Sequence, residues 1–332
     1  MAQISNMFNV KRIDLADAIP LPSPFVIQVE PSGFCNLKCV FCPVNDEHVQ
    51  TYLKKDTMAL QTFQNMTDQC AHFPQTIKVL RFIGIGEPML NKKLPEMIAY
   101  AKQSDAFHTI EVTTNGTLLK PELSDRLIQA GLDVLKISLE AIDDGRFYEI
   151  SGVNVSVEKI KGNIRYFYEN RRDCVVYIKT TDAAVKGEIE KQAFFTEYGV
   201  ICNYIFVENV TNIWPEYNVK TAQRNKTRYG RNESHEKPVC VQPFKLLSVT
   251  ADGEVFPCCA DWKRQLSLGN LHDTPLLEIW RGSKLLQLRL SLLKGNHNTP
   301  CSVCDFQKVS ENDSIDCAKE KIINKLENTK EG

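Results

Sequence analysis

No run of 18 apolar residues occurs in the 332-residue chain, so the sequence offers no candidate transmembrane helix. The opening MAQISNMFNVKRIDLADAIPLPSP lacks the basic start and apolar middle of an export signal, and the chain reads as cytoplasmic. An excess of charge of one sign is also missing: 40 Lys and Arg stand against 41 Asp and Glu, for a net charge of -1. No overall field draws the chain to nucleic acid or to an anionic membrane, and neither is expected as a partner. There is no internal repeat and no low-complexity tract, which leaves no sign of a solenoid. The six histidines show no ligand spacing, and only His48 falls close to a cysteine-rich segment.

Cysteine, by contrast, is plentiful. In a reducing compartment, 12 cysteines with several in C-x2-C or C-x3-C spacing argue for metal ligation over a disulfide framework. Cys35, Cys39 and Cys42 follow directly on an apolar run. Three thiolates are one ligand short of a closed site: a four-iron cube held by three leaves one iron open to a small molecule.

From Phe25 onward, short β-branched runs alternate with longer amphipathic stretches, the pattern of β/α units around a parallel sheet. The strand candidates are Phe25 to Val29, Ile77 to Ile83, Thr109 to Thr113, Val134 to Leu139, Val175 to Thr180 and Cys202 to Val207. Helices are expected over Leu94 to Lys102 and Pro121 to Ala130. Six such units suggest an open or partial barrel, whose active site lies at the carboxyl ends of the strands. After Val207 the polar stretch TNIWPEYNVKTAQRNKTRYGRNESHEKP reads as a linker. Beyond it, Lys245 to Thr250 and Val255-Phe256 flank an Asp252-Gly253 turn as a β-hairpin. Helices from Thr274-Pro275 through Trp280 and from Ser283 to Leu293 come next, then Cys301 and Cys304. The charged final twenty residues read as a surface helix or a frayed tail.

The C-x3-C-x2-C stretch, with Phe41 before its last cysteine, resembles the cluster motif of the radical S-adenosylmethionine (SAM) superfamily. Gly84-Ile85-Gly86-Glu87-Pro88 resembles that superfamily's Gly-Gly-Glu-Pro motif, Thr114-Asn115-Gly116 its Thr-Asn-Gly turn, and Ser138-Leu139-Glu140-Ala141 its Ser-Leu-Asp-Gly segment, in the same order. Cys240 and Cys258, spaced C-x12-G-x4-C through Gly253, resemble with Cys301 and Cys304 the auxiliary-cluster module called SPASM, or its shortened form, Twitch. The cysteines for a second auxiliary cluster are missing over Asp305 to Ser310, and Cys259 and Cys317 stand as alternate ligands. A structural zinc site is the other reading of this set. Cys70, Cys174 and Cys202 read as small buried apolar residues.

The resemblance implies an α/β chain: a partial (β/α)6 TIM-like barrel with a small C-terminal α+β cluster module. The segments expected are an N-terminal extension (1–24), radical SAM core (25–210), linker (211–238), auxiliary-cluster domain (239–310) and charged tail (311–332). It implies SAM and two four-iron clusters as cofactors, with Cys35, Cys39 and Cys42 on the first and Cys240, Cys258, Cys301 and Cys304 on the second. The backbone around Gly86 and Glu87 would receive the SAM amino group, where glycine permits close approach. Thr113, Asn115 and Ser138 would contact ribose and carboxylate, and Phe41 the adenine. A 5'-deoxyadenosyl radical would then remove a substrate hydrogen atom, and the auxiliary cluster would accept an electron after a base takes a proton. Glu140, Glu208 and Asp261, near strand ends or cluster loops, are candidate bases or substrate ligands.

The single-cluster pattern resembles aminocyclitol dehydrogenases, whereas the wider SPASM group mostly modifies peptides and sulfatases. With 34 residues before Cys35, too few for a peptide-recognition domain, a small sugar- or cyclitol-like substrate is expected. An external one-electron donor such as flavodoxin or ferredoxin is implied. A peptide-modifying maturase and a non-catalytic iron-sulfur or zinc scaffold are the alternatives.

Overall fold

The computed structural model describes residues 2–5, 13–211, 213–215, 217, 227–229, 238–297, 299–309 and 314–328. Among them one sheet runs in the order β1-β7-β6-β5-β4-β3-β2-β8-β9-β10. Its strands are β1 (Gln3–Ile4), β2 (Val26–Val29), β3 (Ile77–Phe82), β4 (Phe107–Thr114), β5 (Val134–Ser138), β6 (Val175–Thr181), β7 (Tyr204–Glu208), β8 (Leu246–Val249), β9 (Glu254–Phe256) and β10 (Gly269–Asn270). Strands β2 to β7 pair in parallel in chain order, which makes the α/β partial barrel expected. All six expected strands form, with ends shifted by at most two residues.

The alternation along these strands divides two environments. Ile110 and Val112 on β4, Leu135 and Ile137 on β5, and Val176 and Ile178 on β6 join the main apolar core beneath the helices. The alternate residues Glu111 and Thr113, Lys136 and Ser138, and Tyr177 and Lys179 point the other way, into the barrel. Strands of a parallel sheet covered on both faces normally read as continuous apolar runs. This polar inner face sets the barrel's interior, called the chamber below, apart from the apolar core outside it. The outer layer includes helices Leu60–Cys70, Leu94–Gln103, Pro121–Gln129, Val157–Asn170 and Gly187–Tyr198.

The expected hairpin is β8 and β9, turned at Gly253 with φ +82°, a conformation that a β-carbon disfavours. It is not a separate β module. β8 pairs in parallel with β2 from Val26↔Leu246 to Val29↔Val249, so the sheet passes without a break from the barrel into the C-terminal segment. Leu247, Val255, Leu276 and Trp280 accordingly belong to the same core as the barrel.

Of the two readings of the charged C-terminal end, a surface helix or a frayed tail, the helix is what forms among the described residues, and it packs against the N-terminal segment. Leu15 and Ile19 pack with Val241, Phe244, Leu292, Ile322 and Leu326 in a second core, so helix Lys319–Asn328 lies docked and does not fray. Its apolar residues fall four apart, on one face, beneath a charged exterior. Most of the 211–238 linker lies outside the described residues.

Because Leu247 is fully buried at the join, Leu247→Ala is expected to cost about 2–5 kcal/mol. Urea unfolding followed at barrel and C-terminal probes should show one transition lowered at both. Separate transitions would show two independent units.

Candidate active site

The cluster loop leaves β2 and is fastened to the barrel by backbone bonds. Lys38 N donates to Ser151 O at 2.8 Å and Val40 N to Ile150 O at 2.9 Å, at the end of helix Asp144–Ser151. Cys42 N donates to Cys39 O at 2.9 Å, which folds the last two cysteines into a turn. The three thiols lie close enough for Cys39 to feel both of the others. Burial pushes all three above the usual thiol range, Cys42 to about 12, so bare thiolates are disfavoured and a bound cation would be what keeps them ionised. Phe41 is half-buried against the main core.

The next two motifs meet this loop through one carboxylate. Glu87 is 3% exposed, and it accepts from Met89 N at 3.0 Å, Thr114 Oγ1 at 2.8 Å and Asn115 N at 2.9 Å. Burial raises its carboxyl and these donors pull it back. Its own N–H donates to Phe34 O at 2.7 Å, in the residue before Cys35. Asn115 Nδ2 donates to Asn36 Oδ1 at 2.9 Å, and Asn36 Nδ2 to Thr117 Oγ1 at 2.8 Å. A β-carbon at Gly86 would strike the carbonyl oxygens of Ser32 and Phe34, so only glycine allows this approach. Thr114 is thus the residue that meets Glu87, while Thr113, one position back, faces the chamber beside Lys136 in register.

Inside the barrel, Glu111 bridges Arg81 and Lys136, and burial lowers Lys136 to about 8 against the pull of that carboxylate. Tyr177 and Tyr204 stack with centroids 4.5 Å apart. Ser138 is paired in register with Lys179, whose ammonium lies 2.6 Å from Glu208. Glu208 also bonds Arg228, and the two cations hold its carboxyl below the usual range despite burial. Glu140, at 7% exposed, hydrogen-bonds the Cys39 thiol and feels Lys179; burial raises it to about 7. Sequence reading missed Lys179 and Arg228. Lys179 has a signal, since it alternates in phase with Tyr177; Arg228 has none.

The C-terminal cysteines line a cavity of about 330 Å³. Cys240, Cys258, Cys301 and Cys304 are on its wall, and so is Cys259; Cys317 is exposed and is not. Cys259 also faces the chamber, where it hydrogen-bonds Gln28; burial raises its thiol while Arg81 and Arg228 oppose that rise. Asp261 accepts from Gln265 N at 3.0 Å and Leu266 N at 2.7 Å, which shapes the loop after the cysteine pair. Over the other side, Trp262, Val49 and Leu53 form a small apolar cluster with Trp214 and Tyr217. Trp262 Nε1 donates to Pro215 O at 2.7 Å, and Tyr217 Oη to Cys42 O at 3.4 Å, so the described part of the linker covers the cluster loop. Cys70, Cys174 and Cys202 are buried apolar residues as expected, and the side chain of His48 lies outside the described residues.

Residues 29–189 match the model of the radical SAM superfamily, and residues 240–305 that of an iron-sulfur cluster-binding domain, SPASM. The chain belongs to the radical SAM superfamily. A GTP 3',8-cyclase of Chlorobaculum tepidum is 30% identical over 146 residues, 44% of this chain and 42% of that one. The match thus spans about two fifths of that cyclase's length. The tungsten-containing aldehyde ferredoxin oxidoreductase cofactor-modifying protein of Pyrococcus furiosus is 23% identical over 88% of this chain and 91% of its own. Among solved structures, BtrN in complex with AdoMet and 2-DOIA aligns with a TM-score of 0.54 at 17% identity, covering 84% of this chain and 91% of BtrN. Streptococcus suis SuiB bound to precursor peptide SuiA aligns with a TM-score of 0.64 at 16% identity, covering 89% of this chain and 72% of SuiB. Both show the same fold.

The radical SAM domain implies SAM and a four-iron cluster, and the SPASM domain auxiliary iron-sulfur chemistry. The residues fit both groups. Among the described residues no three His, Cys, Asp or Glu side chains converge on a single ion. No described helix is long and apolar enough to cross a membrane.

Glu87→Gln would turn an N–H2 toward groups that are themselves donors, and should cost about 1–3 kcal/mol. SAM affinity, measured by calorimetry on the reconstituted protein, should weaken at the same time, because the loop around Gly86 loses its anchor. Unchanged affinity would detach Glu87 from SAM binding.

Proposed function

We propose that this radical SAM enzyme oxidises a small sugar- or cyclitol-like substrate in the barrel chamber, with one auxiliary four-iron cluster as electron acceptor. One observation carries the reading: a series of polar groups, joined by hydrogen bonds, ion pairs and, between Glu140 and Lys179 and between Arg228 and Cys259, by charge interaction alone, lies between the two cysteine sites. It runs from Cys39 to Glu140, Lys179, Glu208 and Arg228, and ends at Cys259 on the auxiliary cavity. A substrate held between those walls touches both.

Cys35, Cys39 and Cys42 would hold three irons of the first cluster, and Cys240, Cys258, Cys301 and Cys304 those of the second. Bound there, the first cluster would supply the electron that cleaves SAM reductively and so a radical able to take a substrate hydrogen atom, and the auxiliary cluster would offer an acceptor for the electron released as the substrate radical loses a proton to a base. The chain's own residues place the reactants. The backbone at Gly86 and Glu87 would meet the SAM amino group, Ser138 and Lys179 its carboxylate, Thr113 and Asn115 the ribose side, and Phe41 the adenine. Asn115 enters this role already oriented by Asn36 and Thr117. Trp214, Tyr217 and Trp262 exclude water from the loop above, which a radical reaction needs. An external one-electron donor such as flavodoxin or ferredoxin supplies the reducing electron.

The test is iron and acid-labile sulfide per chain after anaerobic reconstitution. About eight irons should fall to about four in the Cys35→Ala, Cys39→Ala, Cys42→Ala variant, with loss of 5'-deoxyadenosine release under a strong reductant. Four irons falling to none, with zinc retained, overturns the acceptor role. In the Cys301→Ala, Cys304→Ala variant, 5'-deoxyadenosine release should persist while product formation stops. The competing reading, a peptide or protein side chain as substrate, predicts that a peptide and no cyclitol raises 5'-deoxyadenosine release above background.

A further inference from the structure

Two buried polar groups on the auxiliary cavity have no hydrogen-bond partner. Gln307 is 5% exposed, yet its Nε2 and Oε1 are both unpartnered, and Nε2 of His297 is unpartnered as well. Both residues line the cavity together with Cys240, Cys258, Cys301 and Cys304. Buried amides and imidazoles nearly always find a partner, and one left without costs the free energy of its lost hydration. Neither residue belongs to a cysteine motif, and neither is accounted for by the roles assigned above. Among the described residues the cavity wall includes Asp261, already engaged by the Gln265 and Leu266 amides, and a group of cysteines, so the sulfurs of whatever the cysteines hold are acceptors that these N–H groups could meet.

We infer that Gln307 and His297 donate hydrogen bonds to the sulfurs of the auxiliary cluster and raise its reduction potential. Reduction adds one negative charge, which spreads over sulfide and thiolate. An N–H aimed at sulfur therefore stabilises the reduced form more than the oxidised one. The cations Arg81 and Arg228, acting on Cys259 from the chamber side, push in the same direction. The outcome is a cluster biased to take the electron that a substrate radical gives up as it loses a proton, with an external one-electron carrier reoxidising the cluster afterwards. This inference rests on the reading of the cavity as a cluster site.

The measurement is a potentiometric titration followed by electron paramagnetic resonance, in the Cys35→Ala, Cys39→Ala, Cys42→Ala background, which isolates the auxiliary cluster. Gln307→Leu and His297→Leu should each lower the equilibrium constant for reduction about tenfold, a shift of about 59 mV for one electron. His297→Gln, which restores an N–H, should recover most of the shift. If Gln307→Leu takes up less iron, Gln307→Met, close in volume and without an N–H, is read in the same way. Full iron with an unmoved potential overturns the inference and leaves the cluster assignment standing. No iron in the parent background overturns the cluster assignment itself.

Discussion

The buried carboxylate of Glu87 is the constraint on which the site depends. Its two oxygens take three donors, from the residues just after β3 and from the end of β4, while its amide holds the segment that leads to Cys35. These contacts place three loops that share no sequence proximity. A buried carboxylate would be costly if any of these donors were missing, so the loops can only be right together. The Asn36–Asn115–Thr117 bonds then extend the same arrangement outward, toward the face where a ligand of the open iron would lie.

The parts of this design that were legible in the sequence are those with a local code. Strands β2 to β7 announce themselves by β-branched runs, and the cysteine spacings and glycine-containing turns by residue types that few other structures require at those intervals. What stayed hidden is long-range or lacks period. β1 is two residues long and pairs with β7, some 200 positions away, so no window of sequence reveals it. Helix Lys319–Asn328 carries its buried Ile322 and Leu326 among many charges, which mask a narrow apolar stripe. The choice between Thr113 and Thr114 turns on which face of β4 looks inward, a one-residue question that motif spacing leaves open. Gln307 and His297 sit in irregular segments where nothing but the folded cavity gives them a common target.

The inner face of the barrel holds an unusual amount of paired charge for a parallel sheet. Glu111 and Glu208 each serve two cations, and removing either carboxylate would leave buried positive charge unpaired. Such a lining suits a chamber in which a hydroxyl-rich molecule replaces water bond for bond. It also keeps the tyrosine pair Tyr177 and Tyr204 stacked on one wall, where a reactive carbon centre would meet aromatic faces and not solvent.

The parallel pairing of β8 with β2 makes the spacing of the two cysteine sites a property of strand register. Consecutive residues on a strand are about 3.3 Å apart, so a slip of one position would carry the whole auxiliary loop that far along the barrel and turn its side chains to the opposite face. The distance between the two cysteine sites is therefore set by a ladder of backbone hydrogen bonds and not by a hinge. A change in that spacing would have to break the β2–β8 pairing itself.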